Sequence, residues 1–450
     1  MNIVTPSQDT RAVVAGLGKT GVSCVNHLLR RGVHVSATDS RQSPPGLASL
    51  GAAASQIDLR LGGFDLSLLQ DASQLLMSPG IPLTEPIVVQ ARARGIEVLG
   101  DIELFARAVR APVIGVTGTN GKSTVTTLLA QMARCDGRRV LAGGNLGEPA
   151  LDLLELPAPD LYVLELSSFQ LETTSSLQLL GGVVLNVTSD HMDRYATLQD
   201  YAAAKSRIFS HACAAVLNVD DPLVAAMRTS AQRTLTYSIQ RADADFTLMV
   251  RGGSRWLARH GEPLLEFAKL KIGGLHNASN ALAALALGET AGLRLAPMLE
   301  TLQCFTGLPH RSQWVAEIGG VTYVDDSKGT NVGATLAAVA GMSAPLVVIA
   351  GGDGKNQDFT PLADGFRGRV HDVVLIGSDA EKIACVLRSV CDVRQTGSLQ
   401  EAVLAASMLA RPGDTVLLSP ACSSLDMFRD YAHRGAVFAQ SVRALQGDLQ

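Results

Sequence analysis

A glycine-rich segment at residues 115–127 has the spacing of a phosphate-binding loop. Its sequence, Gly-Val-Thr-Gly-Thr-Asn-Gly-Lys-Ser-Thr-Val-Thr-Thr, follows an apolar run that predicts a strand and leads into a helix predicted from Ser123 to Met132. Glycines allow successive backbone N–H groups to point at one anion, Lys122 would reach the β- and γ-phosphates, and the Ser123 hydroxyl would bind Mg²⁺. The strict pattern requires glycine where this chain has Val116. A glycine-rich turn without a ligand is therefore the alternative to the ATP or GTP site that we favour.

A second glycine motif lies near the start of the chain. Gly-Leu-Gly-Lys-Thr-Gly at 16–21 follows an apolar run, and Asp39 ends the next predicted strand. This is a G-x-G-x-x-G fingerprint with a downstream acid, which is typical of dinucleotide sites. The same turn suits the diphosphate of a UDP-sugar, and a close-packed structural turn is a third interpretation.

An acidic residue ends a further apolar run. Glu165 follows Leu-Tyr-Val-Leu, and the carboxyl ends of parallel strands face the ligand crevice of an open sheet. A carboxylate in such a run requires a cation or a metal ion as its partner. We predict that Glu165 binds Mg²⁺, with an internal salt bridge as the alternative.

One histidine is accompanied by two carboxylates and an arginine after the predicted strand 183–187. The sequence Asp-His-Met-Asp-Arg at 190–194 places His191 at the same edge of the sheet, which favours contact with a metal or substrate over a purely structural role. Lys205 lies in a predicted helix, and from its sequence position alone we expect an ordinary solvated lysine.

Composition limits the classes of protein. The chain has 450 residues, 47% apolar and 18% charged, with a formal charge of −4. No apolar run approaches the roughly 18 residues of a membrane span, and the first residues lack the features of a secretory signal, so we expect a cytoplasmic protein. This net negative charge, without a cluster of basic residues, does not favour binding to nucleic acid. Seven scattered cysteines are expected to be reduced and mostly buried.

Strand-like runs that alternate with helical stretches predict an α/β fold with mostly parallel sheets. We expect three domains, namely a Rossmann-like N-terminal domain at 1–100, a P-loop-type central ATPase domain at 101–307 and a Rossmann-like C-terminal domain at 308–450. Residues 243–275 alternate in the manner of a small antiparallel patch.

These motifs together resemble the ATP-dependent Mur ligases of bacterial cell-wall synthesis, over essentially the whole chain. The P-loop run and Asn-Ala-Ser-Asn at 277–280 belong to the wider superfamily. Four segments resemble more specifically the member that adds D-glutamate. They are Leu-Glu-Leu-Ser-Ser-Phe-Gln-Leu-Glu at 164–172, Asp-His-Met-Asp-Arg-Tyr at 190–195, Asp-Asp-Ser-Lys-Gly-Thr-Asn at 325–331 and Ser-Pro-Ala-Cys-Ser-Ser-Leu-Asp at 419–426.

The resemblance implies that ATP phosphorylates the carboxylate of UDP-N-acetylmuramoyl-L-alanine and that D-glutamate attacks the acyl phosphate. It also implies that the enzyme is a monomer. ATP contacts are implied for Gly118, Thr119, Asn120, Gly121, Lys122, Ser123, Thr124, Asn280, Arg311 and Asp326. UDP-sugar contacts are implied for Gly18, Lys19, Thr20, Asp39, Ser40, Arg41, Ser78, Gly80 and Asn145.

For D-glutamate, the resemblance implies contacts with Lys328, Thr330, Lys355, Ser424 and Tyr431. Tyr431 stands where the family often has phenylalanine. Mg²⁺ ligands are implied at Ser123, Glu165, His191 and a carbamylated Lys205, and catalytic roles for Lys122, His191 and Lys205. The alternatives are a sister ligase for another amino acid, a nucleotide-dependent switch and, least favoured, a dehydrogenase.

Overall fold

The first sheet is five-stranded and parallel. The computed structural model describes residues 10–272, 274–342 and 345–447. Its first elements are β1 Arg11–Ala15, α1 Lys19–Arg30, β2 His34–Asp39, β3 Asp58–Leu61, β4 Gln74–Met77, α2 Pro86–Ala93 and β5 Glu97–Leu99. The strand order is β3-β2-β1-β4-β5. β1 is buried at four of its five positions, as expected for a parallel strand covered on both faces.

The central unit is built on a nine-stranded sheet. Its elements are α3 Asp101–Ala108, β6 Val113–Thr117, α4 Lys122–Cys135, β7 Val140–Gly144, α5 Ala150–Leu153, β8 Leu161–Glu165, α6 Ser168–Glu172, β9 Leu179–Val184, α7 Leu198–Ser206, β10 Ala212–Asn218, α8 Pro222–Ala225, β11 Arg233–Ser238, β12 Phe246–Arg251, β13 Ser254–Arg259, β14 Glu262–Glu266, α9 Leu275–Thr290 and α10 Leu295–Cys304. The strand order is β14-β13-β12-β11-β10-β9-β6-β8-β7. The apolar helix α9 packs on α4 in a shared core.

The antiparallel patch forms one edge of this sheet. β12 pairs antiparallel with β13, and β13 pairs antiparallel with β14, whereas the strands from β6 to β11 pair in parallel. The alternation at 243–275 thus corresponds to a meander outside the parallel core.

The third sheet has six strands and only one antiparallel pair. Its elements are β15 Gln313–Ile318, β16 Val321–Asp325, α11 Val332–Gly341, β17 Leu346–Gly351, α12 Pro361–Phe366, β18 Val370–Ile376, α13 Ala380–Leu387, β19 Asp392–Gln395, α14 Leu399–Leu409, β20 Thr415–Leu418 and α15 Tyr431–Gly447. The order is β15-β16-β20-β17-β18-β19, and only β15 runs antiparallel to its neighbour. Short 3₁₀ segments lie at Ala48–Gln56, Leu66–Leu69, Arg207–Phe209 and Phe267–Lys269.

The predicted α/β class is confirmed, but two details differ from expectation. β9 ends at Val184, and the rest of the run predicted at 183–187 leaves the sheet, because Asn186 turns to bond the glycine-rich loop. The cysteines are free thiols, as expected, but only Cys24 and Cys422 are buried. Four of the other five are exposed and one is partly buried. The spacing of cysteines along the chain does not reveal which of them face solvent. None of the helices in the described ranges has the length and apolarity that crossing a bilayer requires.

Candidate active site

The glycine-rich loop leaves β6 and enters α4 through two glycines with positive φ. Gly118 has φ 150° and Gly121 has φ 85°. A Cβ at Gly121 would stand 2.4 Å from Oδ1 of Asn280, so glycine is required for this close approach. Asn186, which sequence reasoning missed, braces the loop by accepting a 2.8 Å hydrogen bond from the Asn120 backbone N–H. The structure therefore brings Asn280 against the loop, as its predicted role in ATP binding requires.

Two lysines converge on one carbonyl of this loop. Lys122 Nζ donates to the Gly118 and Thr119 oxygens at 2.9 and 2.8 Å, and Lys205 Nζ donates to the same Gly118 oxygen at 2.9 Å. Burial lowers the pKa of Lys122. Both amino groups thus lie beside the glycine-rich loop that leads into α4, where the helix N-terminus would attract an anion.

Lys205 is only 1% exposed, so the expectation of a solvated lysine was wrong. A capping box between Thr197 and Asp200 fixes the start of α7, and Lys205 then points inward with its Nζ 4.2 Å from the centre of the Tyr201 ring. Burial lowers the pKa of Lys205 well below its usual range, and the positive charge of Lys122 lowers it further. Both effects act against the charged form of this side chain.

Glu165 ends β8 beside the loop and has one unused oxygen. Its Oε1 accepts a 2.7 Å hydrogen bond from Asn145 Nδ2, whereas Oε2 is buried and has no hydrogen-bond partner. A buried carboxylate oxygen without a partner suits a divalent cation. Within the described ranges, three His, Cys, Asp or Glu side chains do not come together as a metal cluster. A cation here would therefore take further oxygens from Ser123 and from a nucleotide.

The segment after β9 places His191 on the same side of the sheet. His191 has a φ of 58° and packs edge-on against the Phe169 ring, with 4.9 Å between ring centres. Burial lowers the pKa of the imidazole, although neighbouring Asp190 acts in the opposite direction. The neutral form is the one that ligates metals.

Arg194, in the same segment, joins the first two sheets, and sequence reasoning gave it no such role. It donates to Glu172 Oε2 at 2.7 Å and to the Pro79 carbonyl at 2.9 Å, and its guanidinium lies 4.2 Å from the centre of the Phe169 ring. Pro79 lies between the predicted UDP-sugar residues Ser78 and Gly80. The sequence Asp-His-Met-Asp-Arg predicted contact with a metal or substrate. The bond from Arg194 to the Pro79 carbonyl is visible only in the folded structure.

The third unit contacts the central unit at the glycine-rich loop. Arg311 Nη2 donates to Ser123 Oγ at 2.6 Å, and Lys355 Nζ lies 3.3 Å from Asp190 Oδ1. Asn331 caps α11 and exchanges hydrogen bonds with Asn120. Residues far apart in sequence thus meet around the predicted nucleotide site.

The residues predicted to bind D-glutamate lie on loops at the carboxyl edge of the third sheet and, for Tyr431, at the start of α15. Lys328 Nζ lies 4.0 Å from the centre of the Tyr431 ring, and burial lowers the pKa of Lys328 to about 8. The loops are joined by backbone hydrogen bonds between Asp353 and Ser423, beside buried Ser424. Thr330 and Lys355 follow β16 and β17 at this edge. This set of cations and hydroxyls is suited to carboxylates.

Asp326 is held inside the third unit. Its carboxylate accepts hydrogen bonds from the Ser312 N–H at 3.0 Å and the Ser419 hydroxyl at 2.8 Å, and burial raises its pKa to about 7. These contacts orient the turn that carries Arg311. A direct contact of Asp326 with ATP stays a prediction.

The first sheet gathers the predicted UDP-sugar residues beside its glycine turn. Burial opposes ionisation of Asp39, but hydrogen bonds from Arg41 and from the Leu17 N–H outweigh it and hold the pKa of Asp39 below its usual range. Ser78 Oγ donates to the Gly16 carbonyl at 2.8 Å. Lys19 Nζ donates to the Gly147 carbonyl at 2.8 Å, a contact with the central unit that sequence reasoning did not predict. The remaining predicted residues here are Gly18, Ser40 and Gly80, on the loops at the carboxyl ends of β1, β2 and β4, and Thr20, in the first turn of α1.

Three family models match the chain. They are the Mur ligase MurD-like N-terminal domain at residues 10–100, the Mur ligase middle domain at 116–288 and the Mur ligase glutamate ligase domain at 310–422. The chain belongs to the Mur ligase family.

Curated relatives make the relationship more specific. The UDP-N-acetylmuramoylalanine–D-glutamate ligase of Nitrosococcus oceani is 52% identical over 98% of both chains. The protein of the same name from Pseudomonas aeruginosa is 48% identical over 98% of this chain and 99% of its own. The predicted resemblance to the D-glutamate-adding member is thereby confirmed.

The same fold occurs in solved structures of low sequence identity. The UDP-N-acetylmuramate-alanine ligase MurC of Thermotoga maritima superposes with a TM-score of 0.63 at 20% identity, covering 97% of this chain and 99% of its own. The pseudomurein peptide ligase type C of Methanothermus fervidus gives a TM-score of 0.62, also at 20% identity, and covers 97% and 100%. These likenesses concern the fold.

Proposed function

We propose that this chain joins D-glutamate to UDP-N-acetylmuramoyl-L-alanine in the synthesis of peptidoglycan precursors, converting ATP to ADP and phosphate. The observation that carries the proposal is the identity of about half, over nearly the full length, to proteins named for this reaction. The geometry agrees with it, because cations from two units meet at one phosphate-binding loop.

The reaction requires activation of a carboxylate, which is a poor electrophile at neutral pH. In-line attack of a substrate carboxylate oxygen on the γ-phosphorus breaks the bond to ADP and forms an acyl phosphate. The amine of D-glutamate then adds to the acyl carbon, loses a proton, and expels phosphate as the amide forms. Lys122 and Arg311 would stabilise charge on the transferred phosphoryl group, since Lys122 Nζ lies at the glycine-rich loop and Arg311 reaches Ser123 in the first turn of α4.

Mg²⁺ fits the oxygens beside the loop. The partnerless Oε2 of Glu165 and the hydroxyl of Ser123 would hold one ion, with His191 and a carbamylated Lys205 near a second. When bound, Mg²⁺ would neutralise phosphate charge. Carbamylation joins the Lys205 amine, in its neutral form, to CO₂ with loss of a proton, so that the side chain becomes a carbamate anion whose oxygens can bind a metal. The lowered pKa of Lys205 supports this step.

The two substrates that the enzyme joins are assigned to separate units of the protein. The loops of the first sheet around Gly18, Asp39 and Ser78 would bind the UDP end of the sugar nucleotide. Asn145 would contact this substrate nearer its reacting carboxylate, since Asn145 bonds Glu165 and lies two residues from Gly147, whose carbonyl accepts from Lys19 of the first unit. Lys328, Thr330, Lys355, Ser424 and Tyr431 would bind D-glutamate. The domains are 1–100, 101–307 and 308–450, and the enzyme acts as a monomer in the cytoplasm.

The decisive experiment measures phosphate release from ATP and Mg²⁺ with UDP-N-acetylmuramoyl-L-alanine, comparing D-glutamate with L-glutamate, L-lysine and no amino acid. We expect release that requires both the UDP-sugar and D-glutamate, with a product heavier by one glutamyl residue. A Lys122→Ala variant should abolish release while folding normally. Release that is indifferent to the amino acid would refute the proposal.

A further inference from the structure

The turn that carries Arg311 has an unusual backbone. His310 has φ 61° and Ser312 has φ 47°, so both neighbours of Arg311 lie in the left-handed region that residues other than glycine seldom adopt. Such conformations persist only where the surroundings enforce them. Between them, the Arg311 side chain reaches Ser123 of the central unit at 2.6 Å.

Two consecutive aspartates at the end of β16 hold the two sides of this turn. Asp325 Oδ2 lies 2.7 Å from His310 Nδ1, and Asp326 Oδ1 accepts a 3.0 Å hydrogen bond from the Ser312 N–H. The Asp325 side chain is 1% exposed, so its pairing with His310 is largely shielded from water. Asp325 is also oriented from behind, because its Oδ1 accepts from the Ser327 N–H at 2.9 Å.

Helix α15 leaves room for the histidine ring. A Cβ on Gly435 would stand 2.2 Å from His310 Nδ1 and 2.7 Å from Asp325 Oδ2. Gly435 has a helical position and no positive φ, so alanine would suit the backbone better. The absence of a side chain is therefore explained by the space that the His310–Asp325 pair occupies.

We propose that His310 and Asp325 are positioning residues that hold the strained turn and thereby aim Arg311 at the nucleotide phosphates, with Gly435 providing the necessary space. The inference rests on the proposed function in one respect, namely that Arg311 binds a phosphate of ATP. His310 itself does not touch the glycine-rich loop through any hydrogen bond in the described part of the chain. Its effect on ATP must pass through Arg311.

The test measures ATP affinity directly by calorimetry, without ligation, together with KM for each substrate. His310→Gly removes the ring but accepts the left-handed backbone, and we expect it to weaken ATP binding about 10-fold. KM for the UDP-sugar should stay within about twofold of the wild-type value. In an Arg311→Ala background, His310→Gly should change ATP affinity by less than about twofold, because the guanidinium that it positions is gone.

Gly435→Ala supplies a test that removes no polar group. It should weaken ATP binding as His310→Gly does, and it should have a smaller effect when combined with His310→Gly, because only the Asp325 carboxylate then meets the new methyl group. The matched control is His371→Asn, since His371 and Asp372 form a pair of the same 2.7 Å distance in the same unit. It should leave ATP affinity unchanged.

Two results would overturn the inference. One is additive losses for His310→Gly and Arg311→Ala, and the other is an equal loss of affinity for ATP and for the UDP-sugar. The proposed function fails separately, because a protein that binds ATP but does not join D-glutamate would still give an interpretable ATP affinity for each variant.

Discussion

Asn145 donates a 2.7 Å hydrogen bond to one oxygen of Glu165 and leaves the other buried and without a partner. The amide fixes the orientation of the carboxylate, and with it the position of the unpaired oxygen that would bind Mg²⁺. Outer groups that orient a metal ligand typically affect metal binding about 10- to 100-fold.

The first prediction concerns this pair. Asn145→Ala should raise the Mg²⁺ concentration for half-maximal activity about 10-fold, and Glu165→Gln should lower kcat at least about 100-fold. Titration of activity with Mg²⁺ at saturating ATP checks both values. Glu148→Gln, at an exposed glutamate nearby, serves as the control and should respond as the wild type does. An unchanged Mg²⁺ requirement in Asn145→Ala would contradict the orienting role.

The second prediction concerns Lys205. A buried amine with a lowered pKa should react with CO₂, so protein equilibrated with ¹³C-bicarbonate should show a carbamate carbon resonance. Lys205→Ala should lose that resonance and most activity. Lys382→Ala is the control, at an exposed lysine of the third unit, and it should keep the signal. Full activity after exhaustive removal of CO₂ would exclude a carbamate requirement.

The third prediction concerns Lys355, whose Nζ lies 3.3 Å from Asp190 Oδ1. If a D-glutamate carboxylate takes the place of Asp190, Lys355→Asn should raise KM for D-glutamate about 10-fold and leave KM for ATP nearly unchanged. Asparagine is chosen because residue 355 has φ 50°, which asparagine tolerates. Steady-state kinetics measure the effect, with Lys382→Ala as a control at an exposed lysine of the same unit. A larger change in KM for ATP than for D-glutamate would argue against the assignment.

The fourth prediction concerns stability and pH. Asp101 begins α3, and burial raises its pKa to about 6, despite a 2.9 Å hydrogen bond from Gln170. Below the unfolded pKa the carboxyl is neutral in both states. As pH rises through about 6, the folded state must hold a buried anion, so the free energy of unfolding should fall by roughly 3 kcal/mol.

Urea unfolding between pH 4 and pH 8 measures this loss. Asp101→Asn cannot ionise and should flatten the decline, so that its stability relative to the wild type improves as pH rises. Asp58→Asn, at an exposed position, should keep the wild-type slope. Parallel curves for wild type and Asp101→Asn would show that Asp101 does not titrate in this range.

The features that sequence predicted well are local ones. The glycine-rich loop and the placement of Glu165 at the end of β8 depend on neighbouring residues and on the rule that parallel strands end at one edge. Burial of Lys205 was missed, because it depends on how α7 packs rather than on the pattern within the helix. Its helix carries almost no amphipathic signal, since small alanines surround it.

Contacts between units were beyond any local pattern. Arg311 and Ser123 are 188 positions apart in the sequence, and Asn331 and Asn120, which bond each other, are 211 positions apart. The resemblance to a family indicated the ATP role of Arg311, but it did not show that two aspartates hold the turn on either side of it. Such relationships become visible only when backbone angles and side-chain contacts are considered together.

The antiparallel meander on the central sheet has a consequence for the edge of that sheet. Its outermost strand, β14, has the sequence Glu-Pro-Leu-Leu-Glu. Proline lacks a backbone donor, and charges at both ends discourage the approach of another strand. The nine-stranded sheet therefore ends, on this side, in an edge that is protected against aggregation by strand addition.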